Sequence, residues 1–258
     1  MYKIDYNSYR AIASFNRRVR FLIFHYTAQN FEESINSLTG PHVSAHYLIP
    51  DETDKGYISA GFNDMRIFNL VDESERAWHA GISHWAGRNN LNDSSIGIEI
   101  VNLAKEDKQG VVFTPFSQKQ IEAVKQLSLN ILQRYPDISP PHILGHSDIA
   151  VGRKSDPGAM FPWQTLYQAG IGAWYDNDIK SYYLKQFKHT GLPDKQFILE
   201  KLQRYGYDTY LATDEIRFNQ LIRAFQLHFR PQNYSGVVDS ETIAILYALV
   251  DKYFPDKR

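Results

Sequence analysis

The sequence predicts an α/β (α+β) protein in which a mixed central sheet is flanked by helices and followed by a small C-terminal domain of three helices. Short apolar runs typical of buried strands are interleaved with a long amphipathic helix, and after Lys195 only helical patterns remain. With 258 residues and 43% hydrophobic content, the chain can bury one large core or a medium and a small one. We divide it into a main domain, residues 1–178, and a linker with the helical domain, residues 179–258.

Two apolar segments are predicted to be strands of the central sheet. The run "RVRFLIFHYT" is short and rich in β-branched and aromatic residues, and it carries His25 near its end. The segment "SSIGIEIVN" alternates, so that Glu99 projects from the face opposite to Ile98 and Ile100. We therefore expect Glu99 to stand on a rigid strand.

A long helix is predicted for the segment "SQKQIEAVKQLSLNILQRYPDI". It starts with a capping-box pattern formed by Ser117 and Gln120, and it carries apolar residues at helical spacing. Pro136 ends it, because proline cannot continue a helix. The short apolar run "HILGH" follows and ends at His146.

The segment "HSDIAVGRKSDPG" fits neither helix nor strand periodicity and is predicted to be a constrained polar loop. Its two potential metal ligands are His146 and Asp156. Pro157 and Gly158 predict a rigid turn, which would fix the direction of the Asp156 carboxylate. A polar loop that is held in this way indicates a site.

Three short amphipathic segments predict the C-terminal helices. "FILEKLQRYGYD" stops at Gly206, a common helix end. "TDEIRFNQLIRAFQLHFRP" has an apolar stripe and ends before Pro231. "DSETIAILYALV" begins with the capping residues Asp239 and Ser240.

Composition narrows the class of protein and of partner. A formal net charge of -1 provides no overall field to attract nucleic acid or an anionic membrane, so no nucleic-acid partner is expected. There is no cysteine, which excludes thiol catalysis, disulfides and cysteine zinc sites. The opening "MYKIDYNSYRAIASFNRR" lacks the apolar core and cleavage site of a signal peptide, and this leaves the compartment open.

His25, His146 and Asp156 are candidate metal ligands. Each lies at or just after the end of a predicted strand, so the three could converge at one sheet edge. Catalytic zinc needs three protein ligands and one open position, and without cysteine it must use His, Asp or Glu. The alternative is that the histidines are hydrogen-bonded structural residues, which is commoner for a lone histidine at a strand end.

The other candidates also have two interpretations. Glu99 is either an exposed edge carboxylate or a site group held by the sheet. Arg153 and Lys154 either solvate the loop or, if the loop folds over zinc, supply a cation for a developing oxyanion.

His42 and His46 in "PHVSAH" form a rival pair of zinc ligands. On a helix their spacing would suit zinc, but the adjacent glutamate of the helical metalloprotease motif is missing and "YLIP" favours a strand, so the pair ranks second. In "RAWHAG", Trp78 and His79 form either an aromatic core corner or a groove wall for a sugar or peptide. We predict all four as substrate-binding residues.

Five ordered motifs carry a family resemblance over most of residues 15–170. "FLIFHYT", "HVSAHYLI", "RAWHAG", "SIGIEIVN" and "GHSDIAVGRKSDPG" are similar in order and wording to the zinc-dependent N-acetylmuramoyl-L-alanine amidases of the amidase-2 type. Within that family the chain resembles the AmiD-like outer-membrane amidases of Gram-negative bacteria.

The resemblance implies a zinc hydrolase that cleaves the amide between the lactyl group of N-acetylmuramic acid and L-alanine. It makes His25, His146 and Asp156 the zinc ligands, Glu99 the catalytic acid and base, and Lys154 the electrophilic helper. Zn²⁺ is then the cofactor and peptidoglycan and muropeptides are the partners of a monomeric enzyme. A recognition protein that binds peptidoglycan without cutting it, or a zinc amidase for another amide, is the alternative.

The C-terminal segments resemble peptidoglycan-binding modules of the helical type, through "LQRYGYD", "IRAFQLHFRP" and "GVVDSETIAILYAL". The alternative is a structural bundle with no ligand. The resemblance implies a periplasmic enzyme, as an outer-membrane lipoprotein in the AmiD-like group. The cysteine that would carry such a lipid anchor is absent from this sequence.

Overall fold

A computed structural model describes residues 1–107 and 110–255. Its centre is a five-stranded sheet with one antiparallel strand at the edge. The strands in chain order are β1 (Phe21–Tyr26), β2 (Tyr47–Ile49), β3 (Phe68–Asn69), β4 (His84–Trp85), β5 (Arg88–Asn89), β6 (Ser95–Ile100), β7 (Lys105–Asp107), β8 (Gly110–Val112) and β9 (Ile143–Gly145). The sheet order is β3-β2-β6-β1-β9, with β3 antiparallel to β2 and the other neighbours parallel. β4 pairs with β5, and β7 with β8, as separate antiparallel pairs.

The helices surround this sheet and form the C-terminal part. They are α1 (Phe31–Leu38), α2 (Lys55–Ser59), α3 (Gln118–Arg134), α4 (His146–Ile149), α5 (Trp163–Gln168), α6 (Asn177–Thr190), α7 (Lys195–Tyr205), α8 (Glu215–Phe229) and α9 (Ser240–Tyr253). The predicted start of α3 is confirmed, since the Ser117 hydroxyl accepts from the Gln120 amide and the Gln120 side chain accepts from the Ser117 amide. None of the described helices is long and apolar enough to cross a membrane.

The register of the parallel strands fixes where their polar residues meet. His25 in β1 is the partner of Glu99 in β6, so the two side chains stand next to each other on one face of the sheet. Phe24 pairs with Gly145 at the end of β9, so His146 leaves the sheet beside His25. The opposite face carries Ile98, which is fully buried. The carboxyl ends of three neighbouring strands therefore meet at one edge.

The predicted mixed α/β architecture is confirmed, with two refinements. The polar segment predicted to be all loop begins with one helical turn, α4, because the Asp148 carboxylate accepts from the Gly145 amide and closes that turn. The three predicted C-terminal helices are α7, α8 and α9, and α6 packs against α9 in addition.

One buried cluster of apolar side chains joins the sheet to the C-terminal helices. Trp163 of α5 stacks on His228 of α8 with ring centroids 3.7 Å apart, and Trp85 packs edge-on against Tyr207 at 4.6 Å. The boundary at 178/179 falls inside α6, and the division into two domains remains a prediction.

Candidate active site

Three metal-ligand side chains converge at the carboxyl edge of the sheet. Nδ1 of His25 lies 3.0 Å from Nδ1 of His146 and 2.9 Å from Oδ2 of Asp156. Nδ1 of His146 lies 3.0 Å from the same Asp156 oxygen. All three residues are buried, and together they form a group that could hold a metal ion. The structure thus brings together the three residues predicted as ligands.

A hydrogen bond on the far side of the His146 ring determines which of its nitrogens faces His25 and Asp156. Its Nε2 lies 3.1 Å from the carbonyl oxygen of Ala80. A carbonyl oxygen can only accept, so the proton is assigned to Nε2. Nδ1 therefore presents its lone pair to the centre of the group.

A longer series of hydrogen bonds orients His25 in the same way. The Ser95 hydroxyl donates to the Leu91 carbonyl at 2.6 Å, so its oxygen accepts from Nε2 of His79 at 3.2 Å. Nδ1 of His79 is then the acceptor for Nε2 of His25 at 3.0 Å. A side chain at Gly97 would come within 2.4 Å of the His79 ring, so the glycine makes room for this contact. Nδ1 of His25 is left with its lone pair toward His146.

The resulting arrangement places three acceptor atoms face to face. Two imidazole lone pairs and a carboxylate oxygen stand 2.9 to 3.0 Å apart with no proton assigned between them. Buried acceptors in this position repel one another unless a cation lies among them. Two imidazole nitrogens and one carboxylate oxygen are also a common ligand set for catalytic zinc. The residues therefore fit a metal ion.

The protonation of the group suits metal binding. Burial, and after it the neighbouring His146, lower the pKa of His25 to about 4 against the opposing effect of Asp156. Burial alone would raise the pKa of Asp156, but His146 and His25 outweigh it and hold that pKa well below its usual range. Neutral imidazoles and an ionised carboxylate are the forms that coordinate metals.

Glu99 contributes a buried carboxylate oxygen that has no hydrogen bond. Its Oε2 finds no partner in the part of the chain that the structure describes. Burial raises the pKa of Glu99 to about 8, Asp156 raises it too, and Lys154 opposes them. A strand-held carboxylate with an unsatisfied oxygen and a pKa near neutrality is suited to accepting and donating a proton.

The loop after α4 supplies two cations with different positions. The Arg153 guanidinium donates to the carbonyl oxygens of Ala80 at 3.1 Å and Ile82 at 2.7 Å, so it ties two loops together. Lys154, like Arg153, is exposed and lines the same cleft as Glu99, but Lys154 is the cation that lowers the pKa of Glu99. The geometry thus favours Lys154 over Arg153 as a cation for the cleft.

An open cleft of about 630 Å³ lies over this group. One wall includes Leu38, Val43 and Trp78, whereas Gln220 and Arg223 of α8 line another part. The sequence could not predict that Gln220 and Arg223 line the cleft. Apolar periodicity shows which face of a helix is buried, but it does not show what lies next to the edge of that face.

The four predicted substrate-binding residues differ in their positions. Trp78 is 54% exposed and lines the cleft, and its contact with a substrate remains a prediction. His79 reaches the cleft lining but is buried, and its ring nitrogens bond to His25 and Ser95. His79 thus orients the ring of His25 more than it forms a groove wall.

The prediction for the two remaining histidines is not supported. His46 is fully buried, and its Nδ1 accepts from the Gly97 amide at 3.0 Å, because it fills the space beside β6. His42 is exposed and lies outside the residues that line the cleft. Residues 41–46 are not helical, so the shared helical face that the rival zinc pair required does not exist.

The sheet edge brings three residues that could hold a metal ion close to a carboxylate whose Oε2 has no hydrogen bond among the described residues, and this arrangement is typical of metal-assisted hydrolases. The sequence profile of the Amidase_2 family, described as N-acetylmuramoyl-L-alanine amidase, matches residues 15–159. The chain is 45% identical to N-acetylmuramoyl-L-alanine amidase AmiD of Escherichia coli (strain K12) over 242 residues, covering 93% of this chain and 85% of that protein. The chain belongs to this amidase family.

Solved structures agree with the assignment. AmpDh3 from Pseudomonas aeruginosa superimposes with a TM-score of 0.96 at 56% identity, over 98% of this chain and 99% of that one. A second AmpDh3 structure contains anhydromuramic pentapeptide. AmiD from E. coli, in complex with the substrate anhydro-N-acetylmuramic acid-L-Ala-D-gamma-Glu-L-Lys, gives a TM-score of 0.85 at 42% identity over 96% of this chain and 95% of that one. The protein is accordingly an N-acetylmuramoyl-L-alanine amidase.

The family profile ends before the C-terminal helices begin. Binding of the cell wall by α7, α8 and α9 therefore remains a prediction from the sequence resemblance.

Proposed function

We propose that the protein is a zinc-dependent amidase that cleaves the bond between the lactyl group of N-acetylmuramic acid and L-alanine, with His25, His146 and Asp156 as zinc ligands. The observation that carries the proposal is the set of three buried acceptor atoms, 2.9 to 3.0 Å apart, whose outward hydrogen bonds leave their lone pairs facing one another. Zinc held there would supply Lewis-acid polarisation of the scissile carbonyl and a more acidic water.

Glu99 moves the proton in the proposed reaction. Its unpaired Oε2 accepts a proton from the attacking water, and the same carboxyl then donates it to the departing alanine nitrogen. The strand holds the carboxyl in one place, so the same group can take the proton and give it back within one turnover.

Lys154 stabilises the oxygen of the scissile carbonyl group in the proposed reaction. It lines the cleft beside Glu99 and Asp156, and its ammonium group would stabilise the negative charge that develops as water adds to the carbonyl. Its role is separate from metal binding, because it has no atom in the ligand group.

We propose muropeptides and peptidoglycan as the substrates. Support comes from the relatives, whose structures contain anhydromuramyl peptides, and from a cleft with a partly exposed Trp78 that offers an aromatic face to a sugar or peptide. By the same family argument we propose a periplasmic or outer-membrane location.

The test combines metal analysis with product analysis. Purified protein should contain about one zinc per chain, as expected for a single three-ligand site, and mass spectrometry of digested peptidoglycan should show free stem peptides beginning with L-alanine. Chelation should abolish release and added zinc should restore it. His25→Ala should lose metal and activity, and full retention of both would refute the ligand assignment.

Two other outcomes would identify the alternatives. Binding of peptidoglycan without release of peptides would indicate a recognition protein. Zinc-dependent hydrolysis of other amides with intact muropeptides would indicate a different amidase.

A further inference from the structure

A buried carboxylate lies directly behind the turn that carries His146. Asp148 is fully buried, and its Oδ2 accepts from the Gly145 amide at 2.8 Å. Gly145 precedes His146 in the chain, so this bond fixes the backbone that enters the ligand position. The Ser147 amide also donates to the Asp156 carbonyl at 2.9 Å, so the same turn is tied to the third ligand.

The other partners of Asp148 come from the C-terminal part of the chain, Tyr207 from the segment after α7 and His228 from α8. The Tyr207 hydroxyl donates to Oδ1 at 2.5 Å, and Nδ1 of His228 donates to Oδ2 at 2.8 Å. A buried carboxylate is costly without donors, so these two bonds determine whether Asp148 can stay where it closes the turn.

Both donors are held in place by aromatic packing, and Tyr207 packs against Trp85 as described above. His228 lies between Trp163, at 3.7 Å between ring centroids, and Phe229, at 3.9 Å. Its Nε2 is buried without a partner among the described residues, and the proton that bonds to the Asp148 carboxylate is assigned to Nδ1. Burial holds the pKa of Tyr207 well above its usual range, so its hydroxyl keeps the proton that it donates.

We propose that Tyr207 and His228 are positioning residues of the metal centre, which act through Asp148 on the turn that presents His146. This inference rests on the proposed function and extends it, because it makes the C-terminal helices a structural part of the amidase site. Neither residue belongs to the ligand group or lines the cleft, so their effect on the metal is indirect.

The test uses the full chain and measures zinc affinity directly. Tyr207→Phe removes one hydroxyl and keeps the ring against Trp85. Tyr205→Phe is the matched control, since it removes a hydroxyl from a ring that also packs against Trp85 and is buried, but that does not bond to Asp148. His228→Leu removes the second donor, and His228→Asn restores an amide nitrogen near the position of Nδ1.

Zinc affinity is measured on metal-free protein by competition with a chromogenic chelator, well below the melting temperature of every variant. We expect Tyr207→Phe and His228→Leu to weaken zinc binding about tenfold or more, because mutation of residues that support metal ligands through hydrogen bonds typically has an effect of this size. Tyr205→Phe should match the wild type, and His228→Asn should recover most of the affinity. If His228→Leu does not fold, the zinc affinities of Tyr207→Phe and His228→Asn, compared with those of Tyr205→Phe and the wild type, still test the inference.

The inference is overturned if Tyr207→Phe binds zinc as tightly as Tyr205→Phe, or if His228→Asn and His228→Leu bind it equally well. A purely structural role would lower melting temperatures without changing the affinity of the folded protein. Failure of the wild type to bind zinc or to release stem peptides would instead refute the proposed function.

Discussion

At the residue scale, the buried carboxylate of Glu99 opposes folding in its charged form. Its pKa is raised to about 8 in the folded chain from an ordinary value of 4.5, with burial as the largest cause. Between these two pH values Glu99 is ionised in the unfolded chain but still protonated in the folded chain. The free energy of unfolding of the metal-free protein therefore falls as pH rises from the lower value to the higher one.

We therefore predict that Glu99→Gln stabilises the metal-free protein at alkaline pH. The gain in melting temperature over the wild type should be absent near pH 4, grow up to about pH 8, and stay constant above it. Thermal unfolding in chelator across this range measures the gain. The control is Glu122→Gln on the exposed face of α3, and an equal gain there would contradict the explanation.

The same substitution should slow catalysis strongly. Glu99→Gln keeps the size of the side chain but cannot accept a proton, so turnover on a defined muropeptide should fall by roughly two to four decades, the usual scale for general acid and base catalysis. Zinc content measured on the same samples should be unchanged. Near-normal turnover would remove Glu99 from the mechanism, and loss of zinc would make it a ligand-supporting residue.

Lys154 should influence the pH at which Glu99 works. Lys154 lowers the pKa of Glu99, so Lys154→Met should raise that pKa and shift the acidic limb of kcat/KM to higher pH. Turnover should also fall, with zinc retained. Lys119→Met, an exposed lysine of α3, is the control. An acidic limb at the wild-type pH would show that Lys154 does not act on Glu99.

At the element scale, local patterns were enough to predict the strands and caps that carry the site. Alternation in "SSIGIEIVN" placed Glu99 opposite the isoleucines, and the register with His25 confirms that side. The roles of His79 and His46 could not be predicted, because both depend on the space left beside Gly97 once the strands have paired. The spacing of residues along the chain does not reveal how much space remains between paired strands.

The contact between the β4–β5 pair and the end of α7 depends on Gly206. Its φ is +137°, and a Cβ there would lie 2.6 Å from the Trp85 ring. Gly191 ends α6 at a φ of +80° but faces open space, so it provides a matched control.

We predict that Gly206→Ala lowers the free energy of unfolding by about 2 kcal/mol or more, because backbone strain and overpacking add. Gly191→Ala should cost only the backbone part, about 1 kcal/mol. Urea unfolding monitored by tryptophan fluorescence measures both. Equal losses would show that Trp85 can move aside at no cost.

At the scale of the whole molecule, the sheet and the C-terminal helices share one buried cluster. Removal of the chain from α7 onward, including Tyr207, would expose Trp85 and Trp163 and leave Asp148 without two donors. Sequence patterns suggested a separate bundle because each helix is amphipathic, yet the pattern cannot show whether its apolar face meets another helix or the sheet domain.

We predict that the full chain unfolds in one cooperative transition. Scanning calorimetry of the metal-free protein should give a calorimetric enthalpy equal to the van't Hoff enthalpy, since a shared core couples the two parts. Two resolved transitions would indicate that residues 1–178 and 179–258 fold independently.

The distance along the chain between Asp148 and His228 also bears on synthesis. His25, His146 and Asp156 leave the ribosome long before His228, which lies 80 residues after Asp148. A nascent chain that ends before α8 thus contains the three proposed metal ligands and Glu99 but lacks one of the donors to Asp148. If Asp148 acts as proposed, the turn that presents His146 gains its full set of donors only after α8 has been synthesised, so the centre matures later than its ligands.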